Sequence, residues 1–217
     1  MVINHLLIDQ AYQQARKGQL NELLPKLTFW VTGKGGSGLA CNGFALHTEN
    51  DPPVILDQSG RIVDLSDLEE LTQDRVMVNL GLKVVRVNGD SHKTGNALAL
   101  VSAIVRLGLV SRILDMSYEH LNQRKSFGQK TTRHQLIKAS FSDIFGDITQ
   151  LKQQLNYRVS VNDFEGLECV HENLTRLLNQ AEKLMGGHGF MLGSTHTISY
   201  LAMLLYSLFG KQEMVAV

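Results

Sequence analysis

The stretch that decides the fold reads NALALVSAIVRLGLVSRILDMSYEHLNQRKSFGQKTTRHQ and runs from Asn96 to Gln135. Apolar residues recur in it at intervals of three and four, which is the period of an α-helix. The main stripe, widened by valine and leucine neighbours, consists of Leu100, Ile104, Leu107, Leu114 and Leu121. A helix that is apolar around much of its girth needs other helices to cover it, so this stretch predicts the central member of a bundle.

The rest of the chain predicts an α+β fold that is mostly α. Helical periodicity predicts four helices with short connections, at 94–125, 131–155, 163–185 and 195–209. Helices joined by short loops lie antiparallel, so residues 93–217 are predicted to form an antiparallel four-helix bundle. Residues 1–26 are predicted to form one amphipathic helix that Pro25 ends.

Between these helical parts, residues 27–92 predict a small β-rich unit. Short apolar runs bounded by Gly, Asn, Asp and Pro are typical of β-strands joined by tight turns. The predicted strands are 27–32, 44–47, 54–56, 61–63 and 75–87, with one helical turn at 67–71 and a bend at Gly81.

Composition narrows the classes of partner. The 21 basic and 21 acidic residues balance, so no charge pattern indicates nucleic acid or an anionic membrane. The two cysteines, Cys41 and Cys169, are far apart and lack the spacing of a metal site or a disulfide framework. No signal peptide or membrane span is recognised, and we expect a cytoplasmic protein without a metal.

The first candidate binding segment is FWVTGKGG, from Phe29 to Gly36. An aromatic strand that enters a glycine turn is most simply a hairpin with Trp30 in the core. In the functional interpretation, a flat ligand lies against the Trp30 indole, and Thr32 or a backbone amide of the turn donates a hydrogen bond to it.

The second candidate is the segment RKSFG, in which Arg124 ends the long helix and Phe127 and Gly128 follow. His134 and Gln135 come shortly after it. A planar guanidinium beside a backbone-exposing glycine suits a phosphate or pyrophosphate group. Compensation of the helix dipole and a left-handed glycine cap explain the same residues equally well.

The third candidate is KLMGGHGF, from Lys183 to Phe190. Three glycines within four residues let a ligand approach backbone amides closely. A helix precedes this segment, so the nucleotide fingerprint of strand-to-helix junctions does not apply. Taken alone, a glycine cluster of this kind is most often a turn.

Together the three segments resemble the acyl-CoA dehydrogenase family, over residues 28–46 and 75–212. The resemblance implies the family's C-terminal four-helix bundle, an FAD cofactor and a homodimer or homotetramer, because the family's site is shared between subunits. The implied cofactor-binding residues are Trp30 and Thr32 on the flavin ring, and Arg124, Phe127, His134, Gln135, Lys183, Gly186 and Gly187 on the dinucleotide half.

Two departures from the family are visible in the sequence. About 26 residues precede the first predicted strand, where the family has a helical domain of a hundred residues or more, so the resemblance is to a truncated member. The family's catalytic glutamate falls on Phe209 or Gly210, and its other known position falls near Leu98. A positioned general base is worth about 10²–10⁴-fold in rate, and the substitute candidates are His188, His196 and Glu213.

Two functions therefore remain open. One is an FAD-dependent oxidoreductase on the CH–CH group of an acyl thioester, CoA- or carrier-bound, with a non-standard or lost base. The other is a catalytically inactive scaffold or partner subunit of a full-length homologue. A lyase or hydratase that reuses the acyl pocket is conceivable, but nothing in the sequence selects it.

Overall fold

The computed structural model describes residues 3–49, 52–88 and 93–211 of the chain, and it confirms the predicted α+β class with helices in the majority. The helices are α1 (His5–Lys17), α2 (Leu23–Thr32), α3 (Arg75–Leu80), α4 (Asn96–Gln123), α5 (Gln135–Ser160), α6 (Glu168–Met185) and α7 (Thr195–Leu205).

The strands form one five-stranded sheet and one small hairpin. They are β1 (Gly38–Cys41), β2 (Phe44–Thr48), β3 (Ile55–Asp57), β4 (Leu68–Glu70), β5 (Leu82–Val87), β6 (Lys125–Ser126) and β7 (Gln129–Lys130). The sheet order is β3-β1-β2-β5-β4, with β1 and β3 parallel and the other pairs antiparallel. Asn42 and Gly43 join β1 to β2 with positive φ at both positions, as a two-residue hairpin requires.

Helix α4 is the centre of the fold, as its sequence predicts. Helices α1, α2, α5, α6 and α7 all pack against it. Among the described helices, α4 is the one with the length and hydropathy of a membrane span, but 89% of that apolar window is buried inside the protein. Its apolar surface is therefore covered by other parts of the same chain.

Helix α1 packs on α4 at very short range. A Cβ atom built on Gly108 of α4 would lie 2.5 Å from the Tyr12 carbonyl oxygen and 2.6 Å from the Ala15 Cβ, so only glycine allows this approach. Polar contacts fix the same pair of helices. The Tyr12 hydroxyl lies 3.0 Å from the Ser111 hydroxyl, and Arg16 makes a bidentate ion pair with Asp115 at 2.7 and 2.8 Å.

A buried polar network links α4, α6 and α7. Arg106, only 1% exposed, donates to the His171 Nδ1 atom at 2.8 Å and to the Thr175 hydroxyl at 2.7 Å. Its guanidinium also lies 4.8 Å from the centre of the Tyr206 ring, and the Tyr206 hydroxyl donates to Glu168. Burial lowers the pKa of Arg106 to about 10, and the negative charge of Glu168 opposes that shift.

The hydrogen bonds of His171 define its protonation. A guanidinium can only donate, so Nδ1 accepts and the proton is assigned to Nε2, which donates to the Ala99 carbonyl oxygen at 3.2 Å. Burial, and next the charge of Arg106, lower the pKa of His171 to about 3. The imidazole is therefore neutral at physiological pH, and a cation at this position would be repelled by Arg106.

The predicted strand at 27–32 is wrong, because this segment is the second half of α2. The buried residues of α2 itself recur with the helical period, and they are Leu23, Leu24, Leu27, Thr28, Trp30 and Val31. Gly33 ends the helix with φ 73°, and its N–H bonds to the Phe29 carbonyl oxygen at 2.8 Å. Five of the six residues 27–32 are aromatic or β-branched and suggested a strand, but packing against the sheet and α4 decides the conformation.

Other local predictions also need correction. Residues 75–87 are not one bent strand but α3 followed by β5, and Gly81 is the left-handed cap of α3. The strand predicted at 61–63 is reduced to a single bridge between Ile62 and Leu56. The predicted helical turn at 67–71 is mostly β4. The predicted strands at 44–47 and 54–56 are confirmed.

Two helix ends differ from the prediction as well. The first helix ends at Lys17, and Pro25 lies in the first turn of α2, where its missing N–H is tolerated. Helix α4 ends at Gln123, and Gly128 belongs to the turn between β6 and β7 rather than to a helix cap.

The α1–α4 contact predicts that Gly108→Ala lowers the free energy of unfolding by about 1–3 kcal/mol, because the new methyl group meets backbone atoms of α1. The matched control is Gly146→Ala in α5, where an added Cβ meets nothing within 4 Å. That control should gain about 0.5–1 kcal/mol. Urea unfolding of both variants measures the difference, and equal effects would contradict the close packing.

The His171 environment predicts acid sensitivity. The unfolded chain binds a proton on this histidine below its ordinary pKa of about 6.5, whereas the folded chain binds it only near pH 3. Stability therefore falls as pH decreases from about 6.5 towards 3, by roughly 1 kcal/mol per pH unit from this group. His171→Asn keeps the acceptor for Arg106 without titrating, so its unfolding free energy should depend less steeply on pH. A variant with the wild-type slope would refute this assignment.

Candidate functional site

The antiparallel bundle gathers two of the three predicted segments at one end. Helices α4 and α6 end there, and α5 and α7 begin there. The His120 ring of α4 stacks on the His188 ring between α6 and α7, with centroids 4.5 Å apart and an interplanar angle of 11°. The corner Arg124–Gly128 and the glycine loop Gly186–Phe190 therefore share this end of the bundle, the loop end.

The corner is a tight hairpin. Phe127 and Gly128 connect β6 to β7 with φ values of 50° and 79°. Two consecutive residues with positive φ are typical of the turn that best fits the twist of paired strands. The turn pushes the Phe127 side chain into solvent, where it is 98% exposed. An aromatic ring held in this way is available for contact with another molecule.

His134 fastens this hairpin. The Gln129 side-chain amide donates to His134 Nδ1 at 3.2 Å, and His134 Nε2 lies 2.8 Å from the Ser126 hydroxyl. The His134 ring also meets the Phe127 ring edge-on at a centroid distance of 6.0 Å. His134 therefore positions the corner. Gln135, which was also predicted to bind the cofactor, is the first residue of α5 and is exposed.

Two cations at the loop end are unpaired. The side chains of Arg124 and Lys183 are exposed, and neither makes a hydrogen bond or ion pair with any residue that the structure describes. Unpaired guanidinium and ammonium groups retain all their donors for an anionic group.

The glycine loop has one open side and one packed side. A Cβ atom built on Gly186 or Gly187 would meet nothing within 4 Å, and Gly186 has φ 61° and ψ −151°, a conformation suited to glycine. Gly189 is buried instead, and a Cβ there would lie 2.6 Å from the Thr195 hydroxyl. Gly186 and Gly187 thus leave room for an approaching group, whereas Gly189 is required by packing.

His120 lies beneath this loop without a described partner for its Nε2 atom, although that atom is buried. Burial is the largest cause that lowers the pKa of His120, followed by the charges of His188 and Arg124. Each of these causes disfavours the protonated form of the His120 imidazole in the stack with His188. His120 packs against the glycine loop through this stack, a contact that the sequence analysis did not predict.

The first candidate segment, Phe29 to Gly36, is not part of the loop end. Trp30 lies in the core of the protein, only 8% exposed, because it belongs to α2. The Thr32 hydroxyl donates to the Thr28 carbonyl oxygen within the same helix at 2.8 Å. Helix α2 packs against the sheet and α4. Neither side chain therefore presents the flat contact and free donor that were predicted for a flavin ring.

The opposite end of α7 holds the position where the family has its base. Phe209 is fully buried and Gly210 follows it in a π-type turn, Tyr206–Gly210. The nearby carboxylate of Glu168 is bonded to Tyr206. The other oxygen of that carboxylate, Oε2, is buried without a hydrogen-bond partner among the described residues. The position of the family's base is itself occupied by the buried Phe209 side chain.

The substitute bases proposed from sequence lie elsewhere. His188 is stacked on His120, and His196 pairs with Glu182 at 2.8 Å, both at the loop end. His196 is about 20 Å along the helix from Phe209, at 1.5 Å per residue. Glu213 lies outside the described residues.

Solved structures with the same fold support a common architecture. An acyl-CoA dehydrogenase from Slackia heliotrinireducens matches with a TM-score of 0.59 and 11% identity over 92% of this chain and 76% of that one. The ChsE4–ChsE5 complex from Mycobacterium tuberculosis matches with a TM-score of 0.54 and 16% identity over 81% and 59%. A glutaryl-CoA dehydrogenase from Mycobacterium smegmatis, in complex with FADH2, matches at 0.51 and 12% over 81% and 57%.

These structural matches show the fold alone, and the chain spans about three fifths of the length of the first of the matching structures. No curated protein matches the chain significantly in sequence. The family model of the acyl-CoA dehydrogenase C-terminal domain, in contrast, matches residues 96–214, which is α4 through α7. Because this match covers more than half of the chain, the protein belongs to the acyl-CoA dehydrogenase family.

Proposed function

We propose that the protein binds FAD and holds the dinucleotide half of the cofactor at the loop end of its bundle, in contact with a second copy of the chain. The observation that carries the proposal is the shared position of the corner and the glycine loop. That one end holds the exposed Phe127 ring and the open side of Gly186 and Gly187. It also holds Arg124 and Lys183, whose side chains are exposed and pair with no residue in the described ranges.

The chemistry of these groups fits a pyrophosphate with an attached base. The Arg124 guanidinium offers a planar fork of donors that matches phosphate oxygens. Gly186 and Gly187 let backbone amides approach the same anion without steric hindrance. The Phe127 ring offers a face for stacking with an adenine, an interaction worth about 1–3 kcal/mol per base.

The fit is limited to the dinucleotide half. Trp30 and Thr32 were expected to hold the flavin ring, but one is in the core and the other is bonded within α2. When bound, FAD supplies the hydride acceptor, which is chemistry of the cofactor itself. The residues of this chain contribute binding and orientation at the loop end, and we assign no residue to the flavin ring.

A second subunit is part of the proposal because the loop end is a surface rather than a cleft. Phe127, Phe190, Met191 and Leu192 are more than half exposed there, and so is Leu136 at the start of α5. Large apolar side chains grouped at one end favour contact with another protein surface. We propose a homodimer or homotetramer. Cys41 and Cys169 form no disulfide bond within the described residues, and we propose a cytoplasmic location.

The second candidate function is a catalytically inactive partner of a full-length homologue. The burial of Phe209 at the position of the family's base favours it. The oxidoreductase alternative, on a CoA- or carrier-bound acyl thioester, requires a base from elsewhere. Anaerobic addition of octanoyl-CoA to the FAD-loaded protein separates the two. Bleaching of the flavin spectrum supports an oxidoreductase, and an unchanged spectrum supports the inactive partner.

The cofactor proposal predicts that Arg124→Ala weakens FAD binding by roughly tenfold to a hundredfold, because a charge-assisted hydrogen bond to phosphate is lost. Calorimetric titration of the purified chain with FAD measures the affinity. The Arg124 side chain is exposed and contacts no described residue through a hydrogen bond or ion pair, so the unfolding transition should stay unchanged.

Arg75→Ala is the matched control, since Arg75 is also exposed but lies at the start of α3. Its affinity for FAD should equal that of the wild type. A wild-type protein that shows no heat of binding with FAD would end the proposal, and equal affinities of the two variants would remove Arg124 from the site.

A further inference from the structure

Helix α1 covers only part of the seam between α4 and α5. It runs parallel to α4, since Tyr12 contacts Ser111 and Arg16 contacts Asp115. It runs antiparallel to α5, since Asp9 pairs with Lys152 at 2.9 Å. Helix α1 is 13 residues long and α4 is 28 residues long, so the seam continues beyond the end of α1.

The register between α1 and α5 shows which residues lie beyond the end of α1. His5 contacts Asn156, and Asp9 contacts Lys152. A step of four residues forward along α1 therefore corresponds to a step of four residues backward along α5. By the same register Arg16, in the last turn of α1, lies opposite Phe145, and position 20 of a continued α1 would lie opposite Phe141. The chain leaves this path at Gly18, where the backbone becomes extended.

An open groove of about 840 Å³ lies between α4 and α5, where a longer α1 would have continued. Its apolar wall includes Met116, Tyr118, Phe141 and Phe145, and residues 18–22 do not line it. The Tyr118 and Phe141 rings meet edge-on at 5.6 Å, while Tyr118 is 50% and Phe145 58% exposed. Two aromatic side chains in a groove, half-exposed along one seam, are typical of an interaction site.

The end of the groove next to α1 is positive. Arg16 is neutralised by Asp115, but Lys17 has no described partner. Arg112 donates to the carbonyl oxygens of Ala15 and Gly18 at 3.2 and 2.7 Å, and burial lowers its pKa. The far end of the groove carries Glu119.

We propose that this groove binds an amphipathic helix of another polypeptide, aligned with α1 and running in the same direction. Its apolar face would cover Tyr118, Phe141 and Phe145, continuing the packing that α1 makes on the same seam. Its first turn would carry Asp or Glu beside Lys17 and Arg112, and its dipole would follow that of α1 head to tail. The proposal does not depend on FAD, because the groove lies on the α1 side of α4 and α5.

The test uses a displayed library of peptides about 15 residues long, the length at which isolated helices become stable. The peptides carry apolar residues at helical spacing and all residue types at the other positions, and they are selected on the full-length protein. Enriched peptides should have acidic residues in the first turn. Their affinity should fall roughly tenfold on Phe145→Glu and about two- to fivefold on Lys17→Glu.

The matched control is Tyr157→Glu, an equally exposed aromatic on the same helix but outside the groove, which should bind as the wild type does. Absence of enrichment, or equal affinity for Phe145→Glu and the wild type, overturns the proposal. Selective binding of decanoate in the groove, with no peptide bound, identifies a small-amphiphile site and also overturns it. Circular dichroism of each variant checks that the bundle remains folded.

Discussion

The burial of α4 on nearly all sides is the constraint on which the rest of the structure depends. A 28-residue helix is about 42 Å long, and one that is apolar around its girth needs neighbours along its whole length. Five other helices supply them. Because α4 to α7 alternate in direction, their connecting loops fall at two ends, and the corner and the glycine loop necessarily meet at one of them. The proximity of these segments is thus a consequence of bundle topology.

The two ends of the bundle differ in what they offer. At the loop end, the side chains of Arg124 and Lys183 have no partner within the part of the chain that the structure describes, and two glycines face open space. At the other end, Phe209 fills the core, and Arg106 donates to His171 and Thr175. The Arg106 Nε atom and the Glu168 Oε2 atom are buried there without a hydrogen-bond partner among the described residues. Burying a guanidinium whose direct partners are all neutral costs free energy. Because losing its hydrogen bonds would raise that cost further, the network favours one fixed arrangement of α4, α6 and α7. The proposed binding site and the position of the family's base therefore lie at opposite ends of the bundle.

The sequence predicted what rests on long periodic segments and missed what rests on tertiary contact. The helical period of α4 extends over many turns, so the bundle and the shared end of its loops were predictable. Residues 27–32 are too few to distinguish a helix from a strand by period, and their β-branched content favoured the wrong choice. Arg106, His171 and Glu168 come together from α4 and α6, and no spacing in the sequence indicates that contact. The helical cap at Gly33 was a usable signal for α2.

The most direct measurement is sedimentation velocity of the protein with FAD, followed at the visible absorption band of the flavin. If the loop end holds the dinucleotide between neighbouring copies, the flavin signal sediments with a dimer or a larger assembly, and removing FAD shifts that assembly towards smaller species. Flavin that sediments with a monomer, or that stays free at the top of the cell while the protein sediments alone, would contradict a shared site at this end of the bundle.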